Sequence, residues 1–511
     1  MSISKGLQER PVWAFAVDHD LRPLSSLIHS RSDWNVRRML GDTVADGQNR
    51  RGCHFDESRK PVSEPVLTHP KFDFGRRSAP LDAFCAETCD GLFYLSHASI
   101  LVRLNGKTLL FDPVLAKPPH LGSWLFYPEM EMDRRMLEVD AVLVSHQHQD
   151  HYDAEFLKML PATTPIYILD GRPQFAALLE GEGIAYTLLP AETLTDLGDG
   201  IQVIGINHEY NGIDAALAVS NGQFTVYHGN DCFVSNDKLD VVLAAFPRID
   251  VACIPFAYVH WYPFLLEEVD EDWKGAEATR LIDEYLDYGL RQTSRLNPAV
   301  AIPFGANMFY ADDIYCEHNK AVLSPFDFKD YADRVGYPLR GRIAPLFAGD
   351  AVYSRGPDGA RSLAVVQRPF DRQALFEGFN RYLRQVTETG VGLDLRDIQA
   401  LSRADVEDHG FIADRIAGID LAEDHVVFIS NADQPDWGVI AIDLKTRRTV
   451  RVDKVAGGQP YHHFRLTDLA YKAYFSQAFT FNEIVASSQF KLVRRPNLYN
   501  LEVLKIINNV L

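Results

Sequence analysis

Cysteine is scarce in this sequence: six in 511 residues, at positions 53, 85, 89, 232, 253 and 316. That density cannot staple a chain of this size, so a disulfide scaffold is excluded and reduced thiols of a cytoplasmic protein are the expectation. No apolar run reaches the roughly 18–20 residues that a membrane-spanning helix needs. The opening, MSISKGLQERPVW, lacks the apolar core of a secretory signal. Positive charge is also in deficit. Against 70 Asp and Glu stand 51 Lys and Arg, a formal charge of −19. No basic run offsets it, so nucleic acid is not an expected partner. Apolar residues at 46% and charged residues at 24% are ordinary for a folded chain. The length exceeds what one core normally holds and points to roughly two to four domains.

Residues 1–90 show little periodicity and many turn formers (GQNRRGCHFDESRKPVSEP), as expected of an irregular arm or cap. From residue 91 short β-rich runs begin: LFYL, SILVRL and KTLLFDPV, with a tight turn at Asn105–Gly106. DAVLVSH, PIYIL, IQVIGINHE, the hairpin DAALAVSNGQFTVYHGND, DVACIPFA and AVAIPFG read as further strands. AEFLKML, PQFAALLEGEG, DVVLAAF and a long stretch near 267–290 read as helices. This alternation predicts a layered α/β sandwich over 91–330. A helical connection over 331–400 and a small α+β domain over 401–511 follow, the latter built on a three-stranded meander (HVVFIS, WGVIAIDL, RTVRVD).

Directly after the apolar run AVLV, the chain places His146, His148, Asp150 and His151 within six residues. Alternate residues of an extended segment point the same way. His146, His148 and Asp150 therefore converge on one side, and His151 turns toward a second point. Burying three imidazoles and a carboxylate without a cation is costly. The loop thus offers ligands to two divalent metals that share and activate an oxygen between them. Cys85 and Cys89, four apart, are a weak metal signal.

VSHQHQDH resembles the signature of the metallo-β-lactamase fold, an αββα sandwich. Further motifs follow in that family's order. Asp112 in LLFDPVL matches an aspartate that orients a ligand histidine. His208 in GINHEY matches the third ligand of the first metal, and Asp231 in YHGNDCF matches the bridging carboxylate. His97 in LSHAS is similar to the Gly-His-Ala-Ser opening of the branch with ascorbate-phosphate lactonase and N-acylphosphatidylethanolamine phospholipase D, with Ser96 in place of the glycine. The resemblance implies that Asp231, Asp150 and His97 lie nearest the chemistry. It departs at Gly305 in AVAIPFGANMF, where the family carries a last histidine. His260 in FAYVHWYPF or Glu209 beside His208 stands in for that ligand, or else His260 packs with Tyr258, Trp261 and Tyr262 and Glu209 is a loop charge. His228 either supports the site or is a packed strand residue. His54, His120, His318, His462 and His463 have no spacing partner and read as ordinary histidines.

IPFGANMFYADDIYCEHNK and TFNEIVASSQFKLVRRPNLYN also resemble, more loosely, CMP-N-acetylneuraminate hydroxylase. Its Rieske cluster requires two Cys-x-His type pairs, and two such pairs do not occur here (Cys53 and His54 are adjacent), so no Rieske centre is expected. The resemblances imply an O2-dependent di-iron hydroxylase of a small-molecule or thioester-bound metabolite, with electrons from a separate reductase. A zinc hydrolase of an ester, lactone, amide or phosphodiester is the alternative. The chain leaves a homo-oligomer open.

Overall fold

The computed structural model describes residues 78–511, apart from 116–117, 129–132, 210–212, 312–318, 320–321, 356–361, 369–370, 390–394, 419–423, 498–502, 504–505 and 508–510. The arm expected over the first 77 residues lies outside them, as do Cys53, His54, Cys316 and His318. The helix Ala79–Ala86 precedes the first strand.

Strands β1 (Gly91–Ser96), β2 (Ser99–Leu104) and β3 (Lys107–Phe111) form an antiparallel meander. Asn105 and Gly106 close its second turn with positive φ, as a two-residue hairpin requires. A short strand, β4 (Trp124–Phe126), stands apart. Strands β5 (Ala141–Val144), β6 (Ile166–Leu169) and β7 (Thr187–Leu189) then continue the sheet in parallel from β3. The second sheet takes β8 (Thr195–Gly198), β9 (Ile201–Asn207), β10 (Ala215–Ser220) and β11 (Thr225–His228) in antiparallel order. β12 (Val251–Pro255) and β13 (Val300–Phe304) extend it in parallel. β14 (Met308–Tyr310) pairs only with β4. β15 (Ala351–Arg355) and β16 (Ser362–Val366) return to the open edge of β1, which makes the first sheet eight-stranded.

The two sheets face each other. Leu92, Ile100, Phe111 and Leu143 from the first meet Val203, Leu217, Val226 and Ile302 from the second in one apolar layer. Helices Ala154–Met159 and Pro173–Gly181 pack on the outer face of the first sheet, through Phe156 and Phe175. Helices Asn236–Ala245, Glu271–Leu296 and Pro325–Arg334 cover the second, through Leu239, Leu286 and Phe328. The result is an αββα sandwich. The 26-residue helix carries its own start and stop. Asp270 caps the Trp273 amide, Glu271 and Asp272 sit in the first turn, and Asn297 ends it in the left-handed region before Pro298.

Two expectations need correction. The sandwich does not close at residue 330, because β15 and β16 complete its first sheet and carry it to residue 366. The partner of β15, β1, lies more than 250 residues away, so nothing local marks the pairing. The C-terminal sheet is five-stranded, not three-stranded. To β17 (Val426–Asn431), β18 (Val439–Asp443) and β19 (Arg448–Val452) it adds β20 (Tyr461–Leu466), parallel to β17, and β21 (Phe490–Arg495). His462, His463, Arg465, Lys491, Arg494 and Arg495 dilute the apolar pattern of those last two strands.

The C-terminal domain shares its core with the sandwich. Trp124, Phe126, Trp261 and Phe309 belong to the same apolar cluster as Phe464, Tyr471, Tyr474 and Phe490. Leu492 also exchanges backbone hydrogen bonds with Leu265 and Glu267. Among the described residues no helix is long and apolar enough to cross a membrane.

Behind this sheet His425 Nε2 and His462 Nδ1 lie 2.8 Å apart and buried. Burial pushes the two down to about 4 and about 3 respectively. In the unfolded chain both take protons near pH 6.5. Below that pH the unfolded state binds more protons, so stability falls as pH drops toward 4. At pH 5 the loss should reach about 2 kcal/mol for each imidazole. Urea unfolding at pH 7 and pH 5 checks this; His462→Gln should shrink the difference.

Candidate metal centre

The site forms where the two sheets open at the ends of their strands. Past β5 the chain leaves the sheet through Ser145, His146, His148, Asp150 and His151, and Asp153 caps the following helix at the Phe156 amide. His146, Asp150 and His151 are buried. Three groups of donors converge. His146, His148 and Asp214 make one, with Asp214 Oδ1 at 3.7 Å from His146 Nε2 and 3.8 Å from His148 Nδ1. His146, His151 and Asp231 make the second. Asp231 turns Oδ1 toward His146 Nε2 (3.9 Å) and Oδ2 toward His151 Nε2 (3.4 Å), which is the placement of a bridging carboxylate. His97, Asp150 and His151 make the third, with Asp150 Oδ2 at 3.1 Å from His97 Nε2 and 3.2 Å from His151 Nε2.

Partners behind these groups fix which nitrogen faces inward. Asp112, fully buried after β3, lies 2.9 Å from His151 Nδ1 and accepts from the Ser145 amide and hydroxyl. The Ser145 hydroxyl in turn sits 2.9 Å from His146 Nδ1. Each leaves an Nε2 for the cluster. His228 packs between Phe111 and Phe304 and places Nε2 2.9 Å from the Ala98 carbonyl, so it steadies the turn that carries His97. The buried Arg172 donates to the carbonyls of Ile213 and Asp214 and holds the backbone of that carboxylate.

The charges show what the cluster lacks. Burial and the neighbouring His151 hold His146 well below an ordinary histidine. Burial pulls His151 down too, but Asp150 and Asp231 outweigh it and hold it well above the usual value. Burial opposes charge on Asp150 and Asp231, yet the imidazoles keep both carboxyls below their ordinary range. A proton on His151 thus stands in for positive charge that the carboxylates demand. His151 Nε2 and Asp231 Oδ1 are buried without a hydrogen-bond partner, as donors aimed at a cation would be. The residues present fit a pair of divalent metals, whose binding would displace protons from the imidazoles.

Not every expected residue enters the cluster. His208, Glu209 and His260 are absent from all three groups. The β9–β10 hairpin sets His208 opposite Asp214, its amide donating to the Asp214 carbonyl at 2.9 Å. The carboxylate that meets His146 and His148 comes from the far arm of the hairpin. Glu209 instead accepts from the amide of Ser235, the N-cap of helix Asn236–Ala245. His260 stacks near Trp261, takes the Tyr262 amide on Nδ1 at 3.1 Å, and is pushed by burial down to about 4. Among the described residues Cys85 and Cys89 join no metal-capable group.

Gly305 has φ +73, and a Cβ there would lie 2.8 Å from the Asn230 carbonyl. The turn that presents Asp231 occupies the space of any side chain. His120, read as ordinary, must be corrected: its Nε2 lies 3.2 Å from Asp150 Oδ1. No spacing pattern marks it, because it stands 30 residues away on a different loop. For Asp214 the register of the hairpin was a usable signal.

This arrangement defines a sandwich with a two-metal donor set at its mouth. Residues 91–265 match the beta-lactamase superfamily domain, and the fold is the metallo-β-lactamase αββα sandwich. Among curated relatives, a protein of Mycobacterium tuberculosis named for a Rieske 2Fe-2S centre is 27% identical over 34% of this chain and 35% of its own length. The cytidine monophosphate-N-acetylneuraminic acid hydroxylases of Danio rerio and Cricetulus griseus are 26% and 35% identical, over 47% and 41% of this chain and 42% and 39% of theirs. The chain therefore aligns with about two-fifths or less of the length of these relatives. Similar solved structures include Igni18 of Ignicoccus hospitalis (TM-score 0.38, 15% identity, 53% of this chain and all of that one). The diiron β-hydroxylase CmlA of Streptomyces venezuelae is another (TM-score 0.35, 17% identity, 52% and 54%).

Asp214→Ala should lower the affinity for added divalent metal by about tenfold or more, whereas Glu209→Gln should leave it unchanged; equilibrium dialysis with metal analysis compares the two. Gly305→His should not add a ligand. It should destabilise the fold by roughly 2–4 kcal/mol in chemical denaturation, through backbone strain and overpacking.

Proposed function

We propose that the protein is an O2-dependent non-haem di-iron hydroxylase of a small-molecule or carrier-bound metabolite. The carrying observation is the donor set. Three carboxylates, Asp150, Asp214 and Asp231, share the cluster with His97, His146, His148 and His151. Mixed imidazole and carboxylate donors suit iron, and among the described residues no cysteine joins these groups to favour a softer ion. The relatives named as hydroxylases support the same reading, each aligned over part of its length.

In this reading His146, His148 and Asp214 would hold one ion and Asp150 and His151 the other, with the Asp231 carboxylate placed between the two groups. When bound, the pair supplies the two-electron chemistry by which one atom of O2 enters a C–H bond. That chemistry would also require two electrons and two protons, the electrons from a separate reductase, with water as the second product. The chain's own residues do the rest. Asp112 and Ser145 fix the ligand imidazoles. His97 lies flat on Phe126, with ring centroids 4.7 Å apart, and edge-on to Trp124. These rings wall the cluster with apolar surface, which excludes water and suits a partly apolar substrate.

Protein produced in iron-supplemented cells should carry about two Fe per chain. Its visible absorption should change on anaerobic reduction and return with oxygen. Zinc alone, with ester or phosphodiester turnover in the absence of oxygen, would replace this reading with a metallo-hydrolase.

A further inference from the structure

Gln149 lies between two members of the cluster, yet its side chain bonds outside the loop. Its carbonyl accepts from the backbone amide of His120 at 2.7 Å, and its amide donates to the carboxylate of Glu483 in the C-terminal domain. The other oxygen of that carboxylate accepts from the Thr480 amide at 2.6 Å and closes the capping box of helix Phe481–Ser487. The direction of every bond is forced. The His120 amide can only donate and the Glu483 carboxylate can only accept, so Gln149 has one workable orientation.

What this chain of bonds holds is a strained loop beside the metal centre. His120 and Leu121 have φ of 53° and 58°. Non-glycine residues keep such a conformation only where the surroundings enforce it. There the His120 imidazole sits edge-on to Trp124 and reaches Asp150 Oδ1. The same C-terminal segment grips the loop twice more: Trp124 Nε1 donates to the Ala486 carbonyl at 3.1 Å, and Gln489 Nε2 to Ser123 Oγ at 3.0 Å.

We propose that Glu483 and Gln149 are positioning residues of the metal centre, which fix the backbone of His120 so that its imidazole orients Asp150. The C-terminal domain is then part of the metal site and not an appended module. The proposal rests on the cluster being a metal centre, but not on which reaction it performs.

A swap of the two side chains tests it. In Gln149→Glu two carboxylates face each other and the bond to Glu483 is lost. In Glu483→Gln one of its two bonds must fail. In the double variant the carboxylate now at position 149 accepts from the His120 amide and from the carboxamide now at position 483. The oxygen of that carboxamide accepts from the Thr480 amide, so every bond returns and net charge is conserved. The readout is Co(II) titration followed by the visible ligand-field spectrum, with thermal unfolding in parallel. Q149E should weaken Co(II) binding by about tenfold or more and alter the spectrum. Added negative charge alone would strengthen cation binding, so a loss reports geometry. E483Q should lose less, and the double variant should return to within about twofold of wild type. Wild-type affinity and spectrum in Q149E, or a double variant no better than Q149E, would overturn the proposal. So would fast hydrogen exchange of the His120 amide in the unmutated, metal-loaded protein. Wild-type protein that takes up no Co(II) would instead defeat the metal reading beneath it.

Discussion

Uncompensated negative charge in a dry place is the constraint around which this molecule is built. Asp112 and Asp150 are nearly or wholly out of contact with solvent, and the half-buried Asp231 stands beside Asp150 at the mouth of the sandwich. Carboxylates do not stay buried and ionised without positive charge beside them. The imidazoles answer only part of that need. They hold the carboxyls of Asp150 and Asp231 below their ordinary range, while burial and His151 hold His146 well below an ordinary histidine. A cation pair would complete the balance. The orientation of each histidine, the capture of Asp112 by Ser145 and the burial of Arg172 behind Asp214 all follow from that requirement.

Architecture supplies the convergence. Strands that end at the same edge deliver Asp112 from β3, His146 to His151 from β5, Asp214 from β10 and Asp231 from the turn after β11. The apolar layer between the sheets makes those ends rigid, since residues such as Leu143, Leu217 and Ile302 leave no slack. The C-terminal domain closes the arrangement from outside. Its core is continuous with Trp124, Phe126 and Phe309, so the loop carrying His120 is pinned between two bodies that share one hydrophobic cluster.

Much of this was legible in the residues themselves, for a physical reason. The loop from His146 to His151 carries four donors in six positions, and local spacing alone reveals them. The hairpins at Asn105–Gly106 and Asn221–Gly222 declare themselves by turn chemistry, and the helices by their caps. What escaped was set by distance along the chain. β15 and β16 join a strand from the start of the domain, and His120 meets Asp150 through a loop with no periodic signal. Asp214 lay within reach, because the pairing of β9 with β10 places it opposite His208. The family pattern points to His208, its neighbour across that hairpin. Gly305 shows the reverse case. The sequence marks a departure there, and the contact with Asn230 explains why no side chain can fill it.

The site turns on these strand ends holding two ions in a mixed imidazole and carboxylate shell, as we propose. X-ray absorption at the metal edge of the loaded protein addresses it most directly. Two ions in that shell should give nitrogen and oxygen scatterers only, together with a metal–metal vector of about 3.5–4 Å. A spectrum with sulfur in the shell, or a lone ion with no metal neighbour at full loading, would contradict it.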